Sequence, residues 1–366
     1  MHFFDDTLLP ENQEKLVIQA APYGPQWLAD DYADVPVTLD QQVQKAVDCY
    51  NAGATVLHLH VREESTGKGS KRLELFNEML ARLRVAVPKM VLQVGGSISF
   101  APQNEGDAAR WMGFDTRHLL ADLTPKPDQV TVVLNTSLMN FTEMMSKDDI
   151  ASTSWTKSDY FDAYQNMVAD STPSFFIEHI KRLVAKNIQP HFMLGHVHQL
   201  ETVERLIRQG VYSGPLVLNY MAIGGGYAGR HPGDLLDFVQ RCPDGAVVTI
   251  QSLMRTNPVI GTMAVALGLH VRCGIEDNLW RGKGERMSSV EQIEQMVRIA
   301  REVGREVATG EEAKRIYRIG VSYRDTEDAL AQLGWPPNRQ PGQRGFVVRA
   351  PQQAAEPALR RAAQGR

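Results

Sequence analysis

The sequence predicts a (β/α)₈ barrel, and three observations lead there. Eight short apolar runs recur along the 366 residues, amphipathic stretches separate most of them, and no glycine-rich phosphate loop follows the first run. Strands alternating with helices pair in parallel through right-handed crossovers. Eight such units in a chain of this length suit a closed barrel. A doubly wound open sheet would carry GxGxxG after its first strand, where this chain reads "AAPYGPQW".

The runs are "KLVIQAA" (15–21), "TVLHLH" (55–60), "MVLQV" (90–94), "QVTVVLN" (129–135), "PHFML" (190–194), "PLVLNY" (215–220), "AVVTIQS" (246–252) and "LHVRCG" (269–274). Between them, "LDQQVQKAVDCYNAGA", "RLELFNEMLARLRVAV", "FFIEHIKRLVAKNI" and "QLETVERLIRQGV" carry apolar residues at i, i+3, i+4. Gly53 and Gly210 stand just past the last apolar positions, where helices end, and Pro88 lies beyond another. Residues 95–128 and 136–173 interrupt the alternation as long connections after strands three and four. In a barrel both emerge at the C-terminal face, where loops carry function. A last barrel helix, "SVEQIEQMVRIAREVG", precedes a helix-like "GEEAKRIYRIG". The expected organisation is one barrel domain over 1–335 and a partly mobile extension over 336–366, rich in Pro, Gln, Arg and Ala.

Composition excludes several classes. A formal net charge of -4 and a pI near 6.2 give no electrostatic case for nucleic acid or anionic membrane. No apolar stretch approaches the roughly 20 residues of a membrane span, and "MHFFDDTLLPENQEK" lacks the basic start and apolar run of a signal peptide. Cys49, Cys242 and Cys273 are scattered without CxxC pairing, as in reduced proteins. A soluble, cytoplasmic, globular protein is the expectation.

In "ATVLHLHVREE" (54–64), Val56, His58, His60 and Arg62 share one face of a strand, and Leu57, Leu59 and Val61 share the other. Two imidazoles in an apolar strand need hydrogen bonds or a metal. In "LHVRCGIEDNLW", Arg272, Gly274 and Glu276 share a face, and strands two and eight, both even, contribute to the same interior layer. His58, His60 and Glu276 can thus converge as a catalytic zinc set with an open position. The alternative is a pair of satisfied core histidines. Asp277 beside Arg272 reads either as a general base held ionised by cations or as an ordinary ion pair at a strand end. Arg255, in "SLMRTN", suits an anion clamp or a surface position. The loop "AIGGGYAGRHPG" lets backbone approach a large ligand, or is simply a flexible turn. "LQVGGSISF" offers Gly95, Gly96, Ser97 and Ser99 to an oxygen-rich substrate, or forms a tight turn. His196 and His198 repeat the HxH spacing without an acidic partner, which favours a solvated loop.

From about residue 15 to residue 317, the chain resembles the β-keto acid cleavage enzymes, a family typified by the 3-keto-5-aminohexanoate cleavage enzyme. The residues that carry this are "AGATVLHLHVREE", "VTLDQQVQKAVDCYNAGA" and "LHVRCGIEDNLWRGKG", with "VLNTSLMNF" and "EQMVRIAREVGREVATGEEAKRI" in support. The resemblance implies a homo-oligomeric (β/α)₈ barrel holding one zinc ion through His58, His60 and Glu276. It implies Asp277, oriented by Arg272, as the base that makes acetoacetate and a new acyl-CoA from a β-keto acid and acetyl-CoA. Substrate contacts are implied for Gln26, Gly95, Gly96, Ser97 and Asn135. The chain also departs from the family. Gln26 replaces a glutamate that holds a substrate ammonium group, which speaks against an amino-bearing substrate. Gly95 and Gly96 fall at hydroxyl positions, Val133 replaces a threonine, and His191 and Met193 replace two acids. Two other readings stay open: a binding or regulatory barrel that lost thioester transfer, and a CoA-independent zinc lyase or hydrolase.

Overall fold

All eight apolar runs form parallel strands of one closed barrel in the computed structural model, which describes residues 1–102, 106–227, 229–340 and 342–343. They are β1 (Ile18–Ala20), β2 (Val56–Leu59), β3 (Val91–Val94), β4 (Gln129–Val133), β7 (Gln189–Leu194), β8 (Val217–Met221), β9 (Val247–Gln251) and β10 (His270–Cys273). Between β4 and β7 lies an antiparallel hairpin, β5 (Ser137–Met139) and β6 (Met167–Ala169). Around the barrel the order is β1-β10-β9-β8-β7-β4-β3-β2.

Local chemistry sets the helix ends. Thr38 caps helix Leu39–Ala52 in a capping box with Gln41, and Gly53, at φ 118°, closes it in the left-handed region. Its buried positions Leu39, Gln42, Ala46 and Cys49 fall on one face toward the barrel. Ser288 with Glu291 and Thr309 with Glu312 repeat the box at helices Ser289–Glu302 and Gly310–Ile316.

The strand periodicity is observed as expected. Leu57 and Leu59 pack outward in the core shared with the helices, and Val56 points inward. Val17, Val56, Val91, Val217 and Val247 form the lowest interior layer, which Ala313 and Tyr317 seal from below. The helix-like "GEEAKRIYRIG" is therefore the barrel's floor plug. Truncating a side chain as buried as Tyr317 would cost about 3–5 kcal/mol by analogy with other large aromatics.

The two long connections are not open loops. Residues 136–173 carry the hairpin and short helical turns, and with part of 95–128 they form a second apolar cluster over the mouth around Trp27, Phe100, Phe141, Trp155 and Tyr164. A further helix, Thr326–Gln332, follows the plug, and Asn338 bonds the carbonyl of Arg208. The remainder of the extension, 344–366, lies outside the described residues. Among the described residues no helix is long and apolar enough to cross a membrane.

Candidate active site

His58 ends the interior face of β2, and His60 follows one residue past the strand. Both are buried, and their Nε2 atoms face each other at 3.2 Å. Each Nδ1 is turned away to a fixed partner. His60 Nδ1 lies 2.7 Å from the Ile98 carbonyl, which can only accept, so the proton sits on Nδ1 and Nε2 is bare.

His58 Nδ1 lies 2.8 Å from Gln93 Oε1, the acceptor in a ladder of interior amides. Gln19 donates to Gln93 (2.6 Å), Gln93 to Gln129 (2.9 Å) and Gln129 to Gln189 (2.6 Å). Gln189 then donates to the Tyr317 carbonyl at 2.9 Å. That last acceptor fixes the direction of the whole ladder, and hence the His58 tautomer, from the barrel floor.

Glu276 arrives differently from the strand-parity expectation. β10 ends at Cys273, and Gly274, at φ 138°, turns the chain. A Cβ there would meet the Ala21 carbonyl oxygen at 2.5 Å. The turn is closed by the amides of Asp277 and Asn278 on the Gly274 carbonyl. It delivers Glu276 Oε1 to 3.5 Å from His58 Nε2 and 3.9 Å from His60 Nε2. Glu276 Oε2 is buried without a hydrogen-bond partner. Two bare imidazole nitrogens and a carboxylate thus converge with no proton donor among the three, and such a set fits a cation.

Burial and the neighbouring Arg272 charge keep His58 neutral, and burial does the same for His60. Metal ligation requires that form. Burial works to raise Glu276, but the Arg272 charge outweighs it and holds the carboxyl low. Arg272 Nη2 bonds Glu276 Oε1 at 2.7 Å, and its Nε bonds Asp277 Oδ2 at 2.8 Å. Gln251 Nε2 donates to Asp277 Oδ1 at 2.8 Å. Burial pushes Asp277 up to about 6 despite the arginine. Arg62, on the histidine face of the sequence, binds the carbonyls of Tyr23, Gly24, Trp27 and Gly67 and so pins the loop that carries Gln26.

A cavity opens over this group. Gln26, Gly95, Gly96 and Ser97 line it, as do His58, His60, Arg272, Glu276 and Asp277. Gln26 Nε2 donates to the Glu276 carbonyl, which leaves Gln26 Oε1 without a partner. Gly96 N bonds Thr131 Oγ1 at 2.5 Å. Met193 lines the cavity at one of the replaced acidic positions, whereas His191 lies deeper in the barrel with both ring nitrogens unpartnered.

Other expected contacts fall elsewhere. Arg255 is not among the lining residues: its Nε lies 3.1 Å from Asp149 Oδ2, and the pair ties the cap to the barrel rim. Asn135 does not line the cavity either, and its carbonyl accepts from Ser137 Oγ. The glycine loop seats the hairpin. Cβ atoms at Gly225 and Gly226 would meet the carbonyl oxygens of Asn140 and Leu138 at 2.6 Å each. Of the second HxH pair, His198 is exposed and His196 stacks on Tyr227 with ring centroids 5.7 Å apart. Sequence reasoning missed the glutamine ladder and the aromatic cap. The signal for the first was present, as four amides inside Val- and Leu-rich strands.

The chain is 28% identical over 313 residues to the 3-keto-5-aminohexanoate cleavage enzyme of Acetoanaerobium sticklandii, covering 84% of this chain and 99% of that protein. It is 27% identical over 292 residues to the 3-dehydrocarnitine:acetyl-CoA trimethylamine transferase of Rhizobium meliloti, covering 78% and 90%. In fold it is similar to ObcA in its apo structure, with a TM-score of 0.58 at 14% identity. That match covers 78% of this chain and 66% of ObcA. The model of the beta-keto acid cleavage enzymes matches residues 15–319, which include every residue that builds the cavity, and the chain belongs to that family.

Proposed function

We propose that this chain is a zinc-dependent transferase that converts a β-keto acid and acetyl-CoA into acetoacetate and a new acyl-CoA. The supporting observation is the donor-free cluster of His58, His60 and Glu276 set against the buried Arg272–Asp277 pair in one cavity. The two Nε2 atoms and a Glu276 carboxylate oxygen would hold the ion, a set that suits zinc with a position left open. When bound, zinc supplies Lewis acidity toward the β-keto oxygen.

Asp277 removes a proton from C2 of the substrate, the carbon between ketone and carboxylate. Burial raises the Asp277 carboxylate above the usual aspartate range, which makes it a stronger base than an ordinary aspartate. Arg272 and Gln251 fix its orientation through both oxygens. Arg272 Nη1, buried without a hydrogen-bond partner, is left for a substrate carboxylate oxygen. The C2 electron pair attacks the acetyl carbonyl and expels CoA thiolate. The thiolate then attacks the original ketone carbon, the C2–C3 bond breaks, and the proton returns to C2 of acetoacetate.

The test combines metal analysis with turnover. Purified protein should hold close to one zinc per chain and form acetoacetate from at least one member of a β-keto acid panel. Asp277→Asn should keep the zinc and lower kcat by about 100-fold or more. A zinc-loaded protein that turns over no member of a broad panel would defeat the proposal.

A further inference from the structure

The cavity has two poles, and their placement around the barrel bears on the substrate. Most of the polar groups come from β10, β1, β2 and β3 and the turns that follow them, and Gln251 of β9 and Thr131 of β4 are bonded into that side through Asp277 and Gly96. Across the mouth, β7 and β8 contribute Met193 and Met221, and the hairpin lays Met139 and Met167 over them as directly paired residues. Phe141 and Ile223 complete that side. Among the described lining residues the only charged side chains are Arg272, Glu276 and Asp277, and these are bonded to one another.

We infer that the acyl group of the substrate is uncharged and apolar, and that it lies against the Met139, Met167, Met193 and Met221 wall. This rests on the proposed transferase reading. The substrate's own carboxylate has Arg272 Nη1 available, and nothing comparable remains for a second charge. Apart from Arg272 Nη1 and Glu276 Oε2, whose carboxylate belongs to the metal-binding cluster, the uncommitted polar atoms in the wall, Gln26 Oε1 and Trp111 Nε1, are neutral. They can meet a hydroxyl or carbonyl but cannot balance an ammonium or a second carboxylate. A charge buried without a counter-charge is strongly disfavoured. The hydroxyl of Tyr227, also in the wall, is engaged by Ser137. Four unbranched thioether chains adapt to their ligand, so the wall selects against charge more sharply than against the length or branching of an aliphatic tail.

Three acids with one backbone test this: 3-oxohexanoate, 5-amino-3-oxohexanoate, which adds an ammonium, and 3-oxoadipate, which ends in a second carboxylate. With acetyl-CoA, 3-oxohexanoate should exceed both in kcat/KM by about 100-fold. A charged acid within tenfold of it, or better, overturns the inference while leaving the transferase reading intact. If no acid turns over, the transferase reading fails, and calorimetric titration of the zinc-loaded protein with each acid decides the inference separately. Tighter binding of 3-oxohexanoate supports it; equal binding, or none, overturns it. Met193→Glu, verified as folded by circular dichroism, should shift the preference at least about tenfold toward the ammonium-bearing acid. An unchanged preference would place the tail elsewhere and overturn the inference.

Discussion

Gly95 lies against the imidazole of His60: a Cβ at residue 95 would sit 2.3 Å from His60 Cε1 and 2.5 Å from Nε2. The sequence pattern suggested that residue 95 serves the substrate directly, but the geometry gives it a second job. It leaves room for the ring that faces His58. Ile98, whose carbonyl fixes His60 Nδ1, lies three residues on, and its amide bonds the Gly95 carbonyl. One tight turn therefore both makes room for His60 and orients it.

Gly95→Ala should accordingly act on the metal cluster before it acts on substrate. The added methyl must displace the ring, and overpacking of this kind costs about 1–3 kcal/mol. Zinc affinity, measured by competition with a chromophoric chelator, should fall at least about tenfold. Unchanged affinity would show that the imidazole can move aside without losing its place in the cluster.

Gln93 should matter for a different reason, since it touches His58 and not the substrate cavity. Gln93→Leu removes the acceptor that holds the His58 proton on Nδ1. It also breaks the ladder between Gln19 and Gln129. Loss of such an outer partner lowers metal affinity by about 10- to 100-fold. Gln189→Leu, at the far end, removes the bond to Tyr317 and so the element that sets the ladder's direction. A smaller loss of affinity in the same assay is expected there. A Gln93→Leu protein that binds zinc as tightly as the parent would show that the tautomer is set without the ladder.

These residues also mark where sequence reading succeeds and where it stops. The eight strands were legible because a buried parallel strand writes itself as a short apolar run, and period two put His58 and His60 on one face. Glu276 was reached by the right residue and the wrong path: strand parity assigned it to β10, whereas Gly274 ends the pairing and a turn carries it inward. The hairpin was not legible, because Met139 and Met167 are 28 positions apart and pair only once the cap folds over the mouth. Arg255 shows the same limit. Nothing near it in sequence announces Asp149, more than a hundred residues away, which holds its guanidinium at the rim.

His270 couples the stability of the barrel to pH. Its Nδ1 accepts the amide of Val17 at 3.1 Å, so the folded protein requires that nitrogen bare. Burial, with a smaller contribution from Arg305, lowers the ring to about 3. The unfolded chain titrates near the ordinary value of about 6.5. Below that pH the unfolded state binds a proton that the folded state refuses. Stability is therefore complete above about pH 6.5 and declines as pH falls toward about 3. The proton that a single such site withholds grows from about half at pH 6.5 to nearly one at pH 5 and costs about 1.6 kcal/mol over that interval. His179 and His191, also lowered by burial to about 3, add in the same direction. In His270→Asn the side-chain oxygen can still accept from Val17, but no proton is exchanged. Urea unfolding at pH 7 and pH 5 should show a smaller loss in the variant than in the parent, by about 1–2 kcal/mol. Equal losses would mean that His270 takes up its proton inside the folded barrel, at the expense of the Val17 bond.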